Sequence, residues 1–192
     1  MINNEILNSI KKITDLSNAE IGLILNKFET KIIKKKTILL AADEIAKEIY
    51  FVVRGCLRLY YVKDGVDISA YFFTEGMFAG AYDSFISKQP SRHYIETLEN
   101  SELLSINFMN FSKLFDEFPK MNEFVRKILE DRFISLHKLF TSQILDSPEE
   151  RYLNLLKDNP DLVNRVPQHY IATFLGITPV SLSRIRSRIA KK

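Results

Sequence analysis

The stretch Pro167-Gln-His-Tyr-Ile-Ala-Thr-Phe-Leu-Gly-Ile-Thr-Pro-Val-Ser-Leu-Ser-Arg-Ile-Arg186 decides how the chain is read. Pro167 opens a short helix whose inward residues are Ile171, Ala172 and Leu175. Gly176 follows where the backbone must turn through positive φ, which glycine does at little cost. Ile177 is expected to plug the core at the turn. Thr178 then caps a second helix, with Pro179 in its first turn, the combination favoured at helix starts. In that second helix Leu182, Ile185 and Ile189 share one face. The helical period puts Val180, Ser183, Arg184, Ser187, Arg188 and Lys191 on the other. Thr178, Ser181 and Arg186 complete the candidate DNA-contacting set. Small hydroxyls and arginines facing outward, on a helix braced across a glycine turn, suit the major groove of duplex DNA.

Charge points the same way. The chain has 192 residues and a formal net charge of +3. Asp161 is its last acidic residue, and Arg165, Arg184, Arg186, Arg188, Lys191 and Lys192 follow. The other 21 of the 27 basic residues face all 24 acidic ones, so a mildly acidic body carries a basic tail. That asymmetry is expected when only the tail meets a polyanion.

Upstream, Ile6, Leu7, Ile10 and Ile13 recur at helical spacing, and Ser17 with Glu20 makes a capping box for a second helix. From about Ile32 the pattern becomes short, β-branched and aromatic, at 37–40, 49–53, 56–62, 68–73, 93–98 and 102–106. Arg54-Gly55, Lys63-Asp64-Gly65 and Glu75-Gly76 punctuate these runs as turns. Six or more such strands predict a sandwich, barrel or β-roll, with a short helix over 80–87. After Asn107, an N-cap, the helical period returns. Met121, Phe124, Val125, Ile128, Leu129, Phe133, Leu136, Leu139, Phe140 and Ile144 stripe one helix of about 26 residues, roughly 40 Å long. A helix of that length with apolar positions near a 3.5 period predicts a dimer seam. Ser147-Pro148-Glu149-Glu150 starts the next helix and Asn159-Pro160-Asp161 closes it.

These features together resemble the Crp/Fnr regulators. The segment from Pro167 to Arg186 looks like their helix-turn-helix. The segment Glu48-Ile-Tyr-Phe-Val-Val-Arg-Gly-Cys-Leu-Arg-Leu-Tyr60 resembles their second and third strands, with Gly55 at the hairpin turn. The resemblance implies an α+β chain: an N-terminal β-roll of jelly-roll type with short flanking helices (1–118), a long linker and dimerisation helix (119–146), and a C-terminal helix-turn-helix (147–192). No length is left there for a full wing. It further implies a dimeric, sequence-specific transcription regulator, with double-stranded DNA and RNA polymerase as partners. Members that read DNA through a polar triad use arginine, glutamate and arginine; here Pro179, Val180 and Arg184 stand at those positions, so the target sequence is expected to differ. Lys36 and Asp43 stand where the family usually has turn glycines.

In the family's cyclic nucleotide binders a glycine precedes a short helix, a glutamate holds the ribose, and an arginine followed by a small residue holds the phosphate. Gly80 and Arg92 match that pattern, whereas Ala81 replaces the glutamate and His93 the small residue. Gly80, Ala81, Tyr82, Arg92 and His93 are the candidate effector pocket. Cyclic AMP is not expected there; another small effector, or none, stays open.

Other classes find less support. Cys56 is the one cysteine, so no internal disulfide or iron–sulfur cluster forms, and a reducing, cytoplasmic setting is expected. His93, His137 and His169 lack metal-ligand spacing. A cupin-type enzyme needs several histidines on adjacent strands, and only His93 lies there. No catalytic residue, metal, cofactor, signal peptide or membrane span is expected. The alternative is an effector-binding or interaction module without DNA binding.

Overall fold

The computed structural model describes residues 3–190 and is an α+β chain. It forms two compact units: Met1–Leu59 with Phe72–Arg132, and Tyr60–Tyr71 with Phe133–Lys192.

The first unit is built on the β-roll. It opens with α1 (Asn3–Ile13) and α2 (Asn18–Leu25). The expected capping box at α2 forms: the Ser17 N–H donates to Glu20 Oε2 at 2.8 Å and the Glu20 N–H donates to Ser17 Oγ at 3.3 Å. Among the described residues eight strands follow: β1 (Glu29–Ile33), β2 (Ile38–Leu40), β3 (Glu48–Arg54), β4 (Leu57–Lys63), β5 (Val66–Phe73), β6 (Phe78–Ala79), β7 (Tyr94–Thr97) and β8 (Ser101–Asn107). They make two four-stranded sheets, in the orders β1-β8-β3-β6 and β2-β7-β4-β5. β1 begins at Glu29, earlier than the change of period near Ile32, and β6 is two residues long, too short to show alternation.

β3 and β8 pair with Phe51 opposite Leu104, and Phe51, Val52 and Leu103 are fully buried. The register slips between Val52 and Arg54, just before Gly55 at φ +123°. A β-carbon on Gly55 would run into the Ser101 side chain, so no other residue fits this corner. Lys36 and Asp43, at the family's glycine positions, take φ +63° and +66°. Backbone bonds hold them there, from Lys36 N–H to Thr97 O at 2.7 Å and from Asp43 N–H to Ser91 O at 2.8 Å. Inside the roll, Arg58 is buried and its Nε donates to Glu96 Oε1 at 2.9 Å, so the interior charge is paired.

Between β6 and β7 lies α3 (Tyr82–Ser87), two residues shorter at its start than the helix expected over 80–87. After β8, Asn107 caps α4 (Phe108–Glu117) by accepting from the Asn110 N–H at 2.9 Å. α5 (Met121–Leu145) then runs for 25 residues. In the first unit Phe124 of α5 packs edge-to-face on Phe78, which packs likewise on Phe51.

The second unit holds the rest of α5, the outer part of the β4–β5 hairpin and four short helices: α6 (Pro148–Asp158), α7 (Pro160–Arg165), α8 (Gln168–Phe174) and α9 (Pro179–Ile189). α6 has a second capping box, between Ser147 and Glu150. Asn159-Pro160-Asp161 does end α6, but Pro160 also starts α7, because proline at the first helical position loses no backbone bond. Tyr152, Leu155, Leu162, Val166, Ile171, Ala172, Leu175, Leu182 and Ile185 form the core. Ile177 and Ile189 are only half-buried, so neither is the core plug or full core residue that periodicity suggested. Among the described residues no helix is long and apolar enough to cross a membrane, and no cluster of three metal-ligating side chains occurs.

Candidate nucleic-acid interface and effector pocket

The α8–turn–α9 element is fixed from both ends. At the end of α8 the Gly176 N–H bonds to Thr173 O at 3.1 Å and the Ile177 N–H to Ala172 O at 3.0 Å, the paired bonds of a Schellman turn, with Gly176 at φ +68°. Two side chains from outside the hairpin take the remaining carbonyls. Gln143 Nε2 on α5 donates to Phe174 O at 3.0 Å, and Arg151 Nε on α6 donates to Leu175 O at 3.0 Å. Arg151 also donates to Asp146 O at 2.8 Å. Thr173 Oγ1 accepts from the Ser69 N–H at 3.1 Å, tying the β4–β5 hairpin to α8. Sequence reasoning missed Gln143, Arg151 and Thr173, since side chains that cap a distant helix carry no local periodicity.

α9 begins as expected. Thr178 Oγ1 accepts from the Ser181 N–H at 3.2 Å and lies 3.0 Å from Ser181 Oγ, so both hydroxyls belong to the cap. Leu182 and Ile185 are buried, and Val180 is 61 % exposed. Ser183, Arg184 and Ser187 are exposed with it. These four residues form the outward face of α9. Ser181 and Arg186 are half-buried on its flanks. Arg188 is exposed, at the rim of the outward face, its NH2 3.1 Å from Glu149 Oε2 at the start of α6. Lys191 lies outside the described residues.

The outward face has no acidic residue, and Arg184 on it follows Val180 by one helical turn. Such a face can offer a bidentate guanidinium to a guanine edge and a methyl contact to thymine.

In the first unit a pocket of about 490 Å³ opens beside α3. Gly80 and Ala81 line it, together with Leu39, Leu40, Glu44, Tyr50 and Ile95 among others. Tyr82, Arg92 and His93 are not among its lining residues. Ala81 is fully buried just before α3 and offers no polar atom beyond its backbone. Arg92 is exposed, while His93 is buried, and burial holds its imidazole below the usual histidine range against the opposing pull of Asp83. The Pro90–Arg92 turn is pinned to the β2–β3 loop through Ser91 N–H to Glu44 O at 2.8 Å. On the pocket wall, burial pushes the Glu48 carboxyl up, but Lys31, 2.7 Å away, and the Tyr50 hydroxyl outweigh it and hold Glu48 ionised. The lining is therefore mixed, with Leu39, Leu40, Ile45 and Ile95 beside Glu44, Lys47 and the paired Glu48.

Comparison with known proteins follows the same division. The cyclic nucleotide-binding domain family matches residues 30–118. The sequence finds no match among curated proteins. Solved structures match across nearly the whole chain. CLP, the c-di-GMP responsive global regulator of Xanthomonas campestris, superposes with a TM-score of 0.75 at 16% identity, over 91% of this chain and 92% of that one. A CooA variant from Carboxydothermus hydrogenoformans gives 0.69 at 20%, over 93% and 86%. A transcriptional regulator assigned to the Crp/Fnr family from Eubacterium rectale gives 0.69 at 20%, over 89% and 82%. Identities this low speak for the fold. The chain therefore has the fold of these Crp/Fnr-type structures, and residues 30–118 match the cyclic nucleotide-binding domain family.

Proposed function

We propose that the protein is a dimeric, sequence-specific DNA-binding transcription regulator and not an enzyme. The observation that carries this reading is the outward face of α9, where Val180, Ser183, Arg184 and Ser187 are exposed together on a helix capped and braced at its entry. Thr178, Ser181 and Arg186 border that face and serve the phosphate backbone; Lys191 is assigned the same role, and Arg188 is engaged by Glu149 at the rim. Residues 1–118 act as the sensor domain, 119–146 as the linker and dimerisation helix, and 147–192 as the DNA-binding domain.

The dimer reading rests on α5. Leu129, Phe133, Leu136 and Phe140 follow one another at intervals of four, three and four residues, the heptad spacing. Phe133 and Phe140 are 71 % and 65 % exposed. A second copy covering that seam gives two recognition helices for a two-fold operator, with half-sites about one helical turn apart. RNA polymerase is the further partner such a cytoplasmic regulator meets. The β-roll pocket does not take cyclic AMP, since Ala81 leaves the ribose hydroxyls unmatched; another small effector, or none, modulates the protein.

Removing residues 163–192 tests the reading directly. Loss of duplex DNA retention with a folded β-roll is expected; unchanged retention overturns it. Within the full chain, Arg184→Ala should cost about 1–3 kcal/mol on the cognate site and relax preference at one base pair. Binding-site selection with the variant checks this.

A further inference from the structure

We propose that Glu149 is a built-in counter-charge that engages Arg188 and withholds it from the DNA backbone, an inference that rests on the DNA-binding reading. From residue 162 to residue 190 the sequence has no acidic side chain, so the charge opposing the recognition helix has to come from elsewhere. It comes from the first turn of α6, where Glu149 Oε2 stands 3.1 Å from Arg188 NH2. Its neighbour Glu150 is spent on the capping box with the Ser147 N–H at 2.8 Å, which leaves Glu149 as the acid of that turn facing α9.

The two partners differ in freedom. Glu149 sits at a helix N-terminus, where the partial positive charge of the helix end favours a carboxylate. Its side chain is 27 % exposed, that of Arg188 64 %. Arg188 follows Arg184 by four residues and is therefore turned only about 40° from it around the helix, at the rim of the outward face. A long, exposed guanidinium at that rim reaches a passing phosphate. An exposed ion pair of this kind is worth little, so a phosphate competes with the carboxylate for Arg188. When Arg188 turns to a phosphate, however, it leaves the Glu149 carboxylate uncompensated beside the DNA, and that charge takes up a cation in its place. Arg188 then adds little to the counterion release that drives non-specific binding. Glu149 thereby lowers affinity for random DNA while leaving the base-reading residues Val180, Ser183 and Arg184 untouched, and so widens the gap between specific and non-specific sites.

The test is fluorescence anisotropy of full-length protein on a labelled random duplex across a salt series. It compares wild type, Glu149→Gln, Arg188→Gln and the double variant, with thermal melting to establish folding. Glu149→Gln should bind random DNA more tightly. Its salt slope should be steeper by about 0.9, so the loss of affinity between about 50 and about 200 mM salt is about 3.5-fold larger than in wild type. Arg188→Gln alone should change the slope little, and it should erase the gain in the double variant. An unchanged slope in folded Glu149→Gln overturns the inference, and so does a gain that persists without Arg188, which would reduce Glu149 to general charge. Wild type that fails to bind any duplex at low salt overturns the DNA-binding reading and this inference with it.

Discussion

The two halves of α5 share one apolar stripe and meet opposite fates. In the first half Met121 and Phe124 are buried, and Arg132 ends the packed stretch by donating to Phe78 O at 2.8 Å with its guanidinium 5.0 Å from the Phe73 ring. In the second half Phe133, Ile134, Leu136, Phe140, Ile144 and Leu145 are exposed. Apolar periodicity reports that a face will be covered; it does not say whether by its own chain or by another. The β-roll covers the first half because Phe78 stands opposite it. On the second half Gln143 reaches Phe174 O of α8, while Phe133, Phe140 and Ile144 lie open on the single chain.

The largest effect expected along this helix is on the buried half. Phe124→Ala removes a ring packed against Phe78 and leaves a cavity, which should cost about 3–5 kcal/mol of folding stability. Denaturant unfolding measures it. The variant that still folds should keep its oligomeric state, because Phe124 faces its own chain. A variant that unfolds no more easily but falls apart into monomers would reverse the assignment of the two halves.

How much of this was legible in the sequence depends on whether the cause was local. The helix-turn-helix was readable because its devices lie within a few residues of one another: Thr178 caps Ser181, Gly176 turns, Leu182 and Ile185 point inward. The left-handed Lys36 and Asp43 were legible through resemblance alone, since neither residue type demands that geometry. The candidate effector pocket was half legible. Gly80 and Ala81 line the pocket, but the walls from Leu39 to Tyr50 come from the β2–β3 segment, and nothing in their spacing marks a cavity. The pairing of Arg188 with Glu149 was invisible: the helical wheel places Arg188 outward, where it is exposed, but knows nothing of the next helix.

The exposed half of α5 yields the next effect. Phe140→Lys places a charge in the seam proposed to join two copies. It should weaken the dimer by about 2 kcal/mol or more, roughly thirtyfold in dissociation constant, with unfolding of the isolated protomer changed by less than about 0.5 kcal/mol. Sedimentation equilibrium against the unmutated chain reads the first quantity and denaturant melts the second. DNA affinity at low protein concentration should fall with dimerisation, because two half-sites then bind separately. A variant that stays dimeric moves the seam off this face.

The smallest and sharpest change is at Gln143, three residues after Phe140 and therefore next in the same heptad series. By spacing it belongs to the proposed seam; by contact it belongs to the α8–α9 hairpin, because its Nε2 caps Phe174 O at 3.0 Å. Gln143→Leu separates the two roles. The leucine extends the apolar series, so dimerisation should hold or tighten slightly. The Phe174 carbonyl loses its donor, and a lost side-chain bond to a terminal carbonyl of this kind costs about 1 kcal/mol. That loss should appear as faster hydrogen exchange at Gly176 and Ile177, whose N–H groups close the Schellman turn, while exchange in the buried half of α5 stays as it was. Equal exchange at the turn in both proteins would mean that Arg151, bonded to Leu175 O at 3.0 Å, holds the end of α8 unaided. Gln143 would then be only a polar interruption of the seam, a residue that sets register between two copies.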